Sequence, residues 1–265
     1  MDVDVTEVDP GATPARSYGW VPDLPDQRDH RYATPRRVLA DLPAVVDLRA
    51  SQAPVYDQGQ LGSCTAQAIA AILEYDRMRQ GLPRVPPSRL FVYFNERAME
   101  GTTSVDAGAM IRTGIKTVSA QGACPEPMWP YEPRQFAKRP DRRCYSEATH
   151  YRALAYRRVT QTLPELRGCL ADGNPIVFGF SVYPSFETDE VAETGDAPMP
   201  GAKERVLGGH AVLAVGYDHT RQRFLVRNSW GEGWGMAGYF TLPYVYLTER
   251  GLSADFWTIT TVSND

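Results

Sequence analysis

Gln58-Gly59-Gln60-Leu61-Gly62-Ser63-Cys64-Thr65 is a polar, glycine-containing turn that stops at a cysteine. From Ala66 onward the apolar positions Ile69, Ala70 and Leu73 recur at helical spacing, which predicts an amphipathic helix ending before Gly81. Cys64 therefore stands at a helix N-terminus, where unpaired backbone N–H groups favour a thiolate over a thiol. The thiolate is the attacking species in acyl transfer, so Cys64 is a candidate nucleophile as well as a candidate buried thiol.

A thiolate of this kind needs a proton partner. His30 lies in a proline-rich leader, His150 in a charged stretch and His219 in the turn Tyr217-Asp218-His219-Thr220. His210 is different: in Gly208-Gly209-His210-Ala211-Val212 it opens an apolar run after two glycines, with room for the imidazole to reach a cleft. An imidazolium beside a thiolate holds both charges at neutral pH and can protonate a leaving amine. Asn228, in Asn228-Ser229-Trp230-Gly231, offers an oxygen to orient that ring, and the Trp230 indole can shield the bond from water. The Gln58 side-chain amide, with the Cys64 backbone N–H, would donate to the oxyanion of a tetrahedral intermediate. Such a donor is typically worth about 3 kcal/mol of barrier.

In this order, with Trp234-Gly235 following, Gln58, Cys64, His210 and Asn228 resemble the catalytic set of the papain family of cysteine peptidases. The likeness runs from about Leu42 to near Val262. It implies an α+β, two-lobe fold, with a helical lobe at about 58–145 carrying the nucleophile and an antiparallel, β-barrel-like lobe at about 146–265 carrying His and Asn. It implies a thiol endopeptidase acting through a thioester on peptide or protein substrates. For substrate binding it points to Gly108 in the glycine-containing edge Asp106-Ala107-Gly108-Ala109, to Gly209 and Ala211 beside the histidine, to Trp230 on the leaving-group side, and to Ala254 or Asp255 as the floor of a side-chain pocket. Three departures stand out. Thr65 replaces the usual aromatic, Leu61 occupies a position where papain has a bridging cysteine, and residues 1–41 stand where relatives carry a long helical pro-region.

The remainder of the chain sets bounds. With 265 residues, 43% hydrophobic and 23% charged, it has the composition of a soluble globular protein. A net charge of -4 argues against a nucleic-acid partner. No run approaches the roughly 18 apolar residues of a membrane span. The acidic start lacks the pattern of a signal peptide, giving a cytoplasmic expectation for the chain as it stands, with secretion open if a segment preceded it. No metal-ligand spacing is present, so neither metal nor cofactor is expected, and a monomer is the expected state. Cys124 and Cys144 flank a proline-rich loop and are candidates to pair, while Cys169 reads as a small buried hydrophobe.

Helical spacing recurs from Pro87-Ser88 and from Ala107 to Gly122, and β-rich runs follow at 176–182, 211–216, 224–226, 239–242 and 256–262. Within the leader, Tyr18, Trp20, Val21 and Leu24 form an apolar cluster in an otherwise proline-rich, charged segment. Such a segment either lies across the cleft near Cys64 as a self-inhibiting lid or stays a disordered tail. Two functional alternatives remain beside the endopeptidase: an amidase, deamidase or transpeptidase with the same machinery, and an inactive homologue that binds peptides.

Overall fold

Helix α2 begins at the cysteine itself, Cys64–Arg79, with Ser63 before it. The computed structural model describes residues 17–263. Every α2 side chain from Cys64 to Arg77 is buried. The expected amphipathic helix is thus enclosed on all sides, because two helices cover one face and a sheet covers the other. Ala66, Ala68, Ala70 and Ala71 keep it slim enough for that.

The covering helices are α3, Arg89–Glu100, and α4, Ile111–Ala120. Ser88 caps α3 by accepting the Phe91 N–H at 3.1 Å, and Gly101 ends it in the left-handed conformation. Helix α4 starts later than the spacing predicts. Gly108 has φ +69, and Ala109–Met110 (β3) is extended, paired in parallel with the leader's Trp20–Val21 (β1).

The sheet has seven strands: β2 (Val45–Asp47), β4 (Ala153–Arg158), β5 (Ile176–Val182), β6 (Gly208–Asp218), β7 (Arg223–Arg227), β8 (Tyr239–Pro243) and β9 (Ser253–Val262). Their order is β4-β9-β5-β6-β7-β8, with β2 also on β6, and each pairing is antiparallel. Among the described residues the sheet is open rather than a closed barrel. Short helices fill the connections: α1 (Arg36–Ala40), α5 (Arg142–Ala148), α6 (Leu163–Ala171), α7 (Asp189–Thr194) and α8 (Tyr244–Thr248).

Strand alternation gives the sheet two buried faces. Val177 and Leu213 join the helical core of Ile69, Phe91 and Ile115, while their neighbours Phe178 and Val212 join a second core with Phe224 and Phe240. The N-terminus of α2 meets β6 where the first core reaches the surface of the sheet. That seam holds Cys64 and His210.

Candidate active site

The turn before Cys64 is clamped from several sides. Asp57 accepts the Gly59 N–H at 2.8 Å, and Gly59 has φ +58, a conformation glycine adopts without strain. The Asp106 carboxylate accepts the Gly62 N–H at 3.0 Å and the Tyr93 hydroxyl. Tyr131 donates to the Gln58 carbonyl at 2.9 Å and shares a hydrogen bond of 2.6 Å with Ser63 Oγ. From the other lobe, the Ser229 carbonyl accepts the Gln58 N–H at 2.9 Å. Buried Arg227 ties down the preceding segment through the Ala53 and Pro54 carbonyls.

His210 lies on β6, fully buried, and Asn228 directly follows β7. The ring Nε2 is 2.9 Å from Asn228 Oδ1, and the same oxygen accepts the Ser229 N–H at 2.8 Å. An oxygen that accepts from Nε2 sets the tautomer and directs Nδ1 to the opposite side of the ring. The Trp230 indole stacks on the imidazole, with centroids 4.9 Å apart and planes at 23°. Ser229 Oγ donates to Gln58 Oε1 at 2.6 Å, which turns the Gln58 NH2 toward Leu61 O at 3.0 Å and toward the leader's Ser17 O at 3.3 Å.

The Cys64 sulfur accepts the Ala211 N–H at 3.3 Å and is also met by the Gly19 N–H. Burial pushes the thiol up to about 12, a shift that these two N–H groups oppose and that Glu96 reinforces. Burial of the sulfur, which favours the neutral thiol, outweighs these N–H groups in the closed structure. Thr65, which stands in place of the family's usual aromatic, donates to Glu96 Oε1 at 2.6 Å. Glu96 is wholly buried, and burial holds its carboxyl well above the usual range, partly offset by the Thr65 hydrogen bond.

The leader runs through this seam. The Gly19 carbonyl accepts the Ala109 N–H at 2.8 Å, and a Cβ on Gly19 would lie 1.7 Å from the Gly62 carbonyl oxygen. Tyr18 meets the His210 ring edge-on at 6.2 Å, and its hydroxyl bonds Glu187. The Trp20 indole lies against Gly179 and Gly209, where added Cβ atoms would sit 2.0 and 2.8 Å from ring atoms, and Nε1 donates to Asp255 Oδ2 at 3.2 Å. Asp255 also accepts the Asp23 N–H at 2.7 Å. Asp23 accepts from the Arg112 backbone and the Trp257 indole, each at 2.9 Å. Arg112 and Arg158 bind Asp29 at 2.6 and 3.2 Å, and Arg158 binds Asp255 at 3.0 Å. Of the expected apolar cluster, Tyr18 and Trp20 dock, Val21 is 39% exposed and Leu24 is 71% exposed. Leu24 belongs to the solvent side, since the segment's hold beyond Trp20 is polar. The leader's prolines at 10 and 14 lie outside the described residues.

Cys64, Gln58, His210, Asn228 and Trp230 are thus brought together, and Gly108, Gly209 and Ala211 border the same seam. Ala254 pairs with Gly179 in the sheet, and the carboxylate that meets Trp20 belongs to its neighbour Asp255. Sequence reading missed Asp106 as the clamp on the turn, Gly179 as the wall beneath Trp20, and the Thr65–Glu96 pair. Only Gly179 carried a signal: glycine inside an apolar strand marks a close approach.

A sequence profile described as papain family cysteine protease matches residues 42–250. The chain belongs to the papain family of cysteine proteases. The protease is 43% identical to xylellain, a cysteine protease from Xylella fastidiosa, whose crystal structure superposes with a TM-score of 0.87 over 94% of this chain and 99% of that one. It is 37% identical to an uncharacterized peptidase C1-like protein of Acanthamoeba polyphaga mimivirus, covering 96% of this chain and 89% of the other. Digestive procathepsin L 3 of Tenebrio molitor shares the fold at a TM-score of 0.71 and 20% identity, over 93% of this chain and 76% of that one. Among the described residues of the protease, no helix is long and apolar enough to cross a membrane.

Proposed function

We propose that this papain-like protease is an endopeptidase whose leader blocks its own cleft. Cys64 attacks the peptide carbonyl, and the tetrahedral oxyanion is held by the Gln58 side-chain N–H and the Cys64 backbone N–H. His210, oriented through Nε2 by Asn228, takes the thiol proton at Nδ1 and gives it to the leaving amine. Water, deprotonated by the same nitrogen, then cleaves the thioester and returns the thiol. Trp230, stacked on the ring, keeps water from the His210–Asn228 bond.

The observation that carries this reading is what the leader touches. The Ser17 carbonyl engages the Gln58 donor, and the Gly19 N–H meets the Cys64 sulfur. A hydrolysable strand must present a carbonyl carbon at that sulfur, so a strand presenting an N–H obstructs without being cut. Trp20 fills the pocket bounded by Gly179, Gly209 and Asp255, which suits an aromatic substrate side chain able to donate to the carboxylate. Hydrolysis of a peptide library by protein beginning at Ala40 tests the reading. Cleavage within peptides with an aromatic bias beside the scissile residue supports it, whereas release of ammonia alone, or only amine transfer, favours the amidase or transpeptidase.

A further inference from the structure

Cys124 and Cys144 lie outside the catalytic seam, both as free thiols, 0% and 1% exposed, in the core shared by the three long helices. Cys124 follows α4 and Cys144 lies in α5, and their side chains interact directly. The backbone around both is fixed: the Cys124 carbonyl accepts the Ser88 N–H at 2.7 Å, Asp141 accepts the Cys144 N–H at 3.1 Å, and the Cys144 thiol reaches Met128 O at 3.7 Å. Cys169 sits in the other core, its thiol donating to Asn174 O at 3.5 Å, out of this pair's reach.

We infer that Cys124 and Cys144 form a reversible disulfide that staples the segment between α4 and α5. With a low-molecular-weight disulfide as oxidant, one thiol loses its proton and attacks that S–S bond, giving a mixed disulfide and a free small thiol. The second cysteine then attacks the protein-bound sulfur, forming the Cys124–Cys144 bond and expelling the second small thiol. Two protein thiols are oxidised and one small disulfide is reduced. Burial raises both thiols, so exchange proceeds through local opening of the segment rather than at its resting surface. The ring closed by the bond contains Tyr131, which clamps Ser63 and Gln58, and Glu126, which binds Arg89 at 2.7 Å. The site needs no contribution from Cys64 and so stands apart from the proteolytic reading.

The test uses the full chain carrying Cys64→Ala, which removes competition from the nucleophile. The protein is equilibrated in a buffer of reduced and oxidised glutathione, quenched, unfolded, alkylated and digested. A single peptide pair joined through Cys124 and Cys144, reversed by dithiothreitol, is expected, together with a rise in Tm of about 5 °C or more over the reduced form. Cys124→Ser and Cys144→Ala should each abolish the rise. Alkylation of all three thiols, stable glutathione adducts at Cys124 or Cys144, or a crosslink to Cys169 would overturn the inference.

Discussion

The Cys64 sulfur accepts the backbone N–H of Ala211 at 3.3 Å, so the first residue of α2 and the residue after His210 meet directly. A backbone N–H of β6 and the side-chain sulfur of α2 join the two lobes there, and the imidazole is carried to its place by β6 rather than by a loop.

Removing the nucleophile changes little volume. Cys64→Ala in protein lacking the leader should lower peptide turnover by about a thousandfold or more with unchanged circular dichroism. Retention of a tenth of the activity would sink the assignment.

The histidine and asparagine should be separable. His210→Ala removes proton transfer, and Asn228→Ala removes only orientation, so the asparagine variant should keep at least about tenfold more kcat than the histidine variant. The reverse ranking would require the roles to be reassigned.

Gly19 has no room for a side chain, since a methyl group there would lie 1.7 Å from the Gly62 carbonyl oxygen. Gly19→Ala in the full chain should raise kcat/KM on a small peptide by about tenfold or more, since overpacking costs roughly 1–3 kcal/mol and falls on the docked state alone. No change in rate would show that the leader does not limit access.

The docked leader also brings a proton. Asp23, Asp29 and Asp255 share two guanidiniums, Arg112 and Arg158, and burial with the nearby Asp255 carboxylate raises Asp23 to about 6. A carboxyl raised on docking contributes full hold below its free value near 3.8, and that hold is lost as pH rises through about 6. Inhibition by an added leader peptide should therefore weaken as pH rises from about 4 to about 6 and level off above that, measured as Ki on protein starting at Ala40. An inhibition constant that is flat, or one that falls, would contradict the cluster's role.

Glu96 follows the same sign. Its carboxyl is raised well above the usual range by burial, so its contribution to stability is present while it is protonated and is lost as pH rises through the folded value. Urea unfolding of Glu96→Gln should show less loss of stability toward alkaline pH than the parent. Equal slopes would place a charged carboxylate there instead.

Much of this was legible because the informative residues are local. The glycine turn before Cys64, the paired glycines before His210 and the Asn-Ser-Trp-Gly run each announce their own backbone. Long periodic segments read well too: β5 falls on the expected residues, and α2 differs only in being enclosed. What escaped depends on distant partners. The extended start of α4 exists because Ala109 pairs with Gly19 across the cleft, and Thr65 makes sense only once Glu96 lies beneath it. Strand β4, Ala153–Arg158, reads Ala-Leu-Ala-Tyr-Arg-Arg, which does not alternate between apolar and polar residues, and is defined by its pairing with β9.

The most direct test is the rate at which an epoxysuccinyl thiol-protease inhibitor labels the protein, read by mass spectrometry on the full chain and on protein beginning at Ala40. A single adduct on Cys64 is expected in both, formed at least about tenfold faster without the leader. Equal rates, or labelling at any other cysteine, would contradict this expectation.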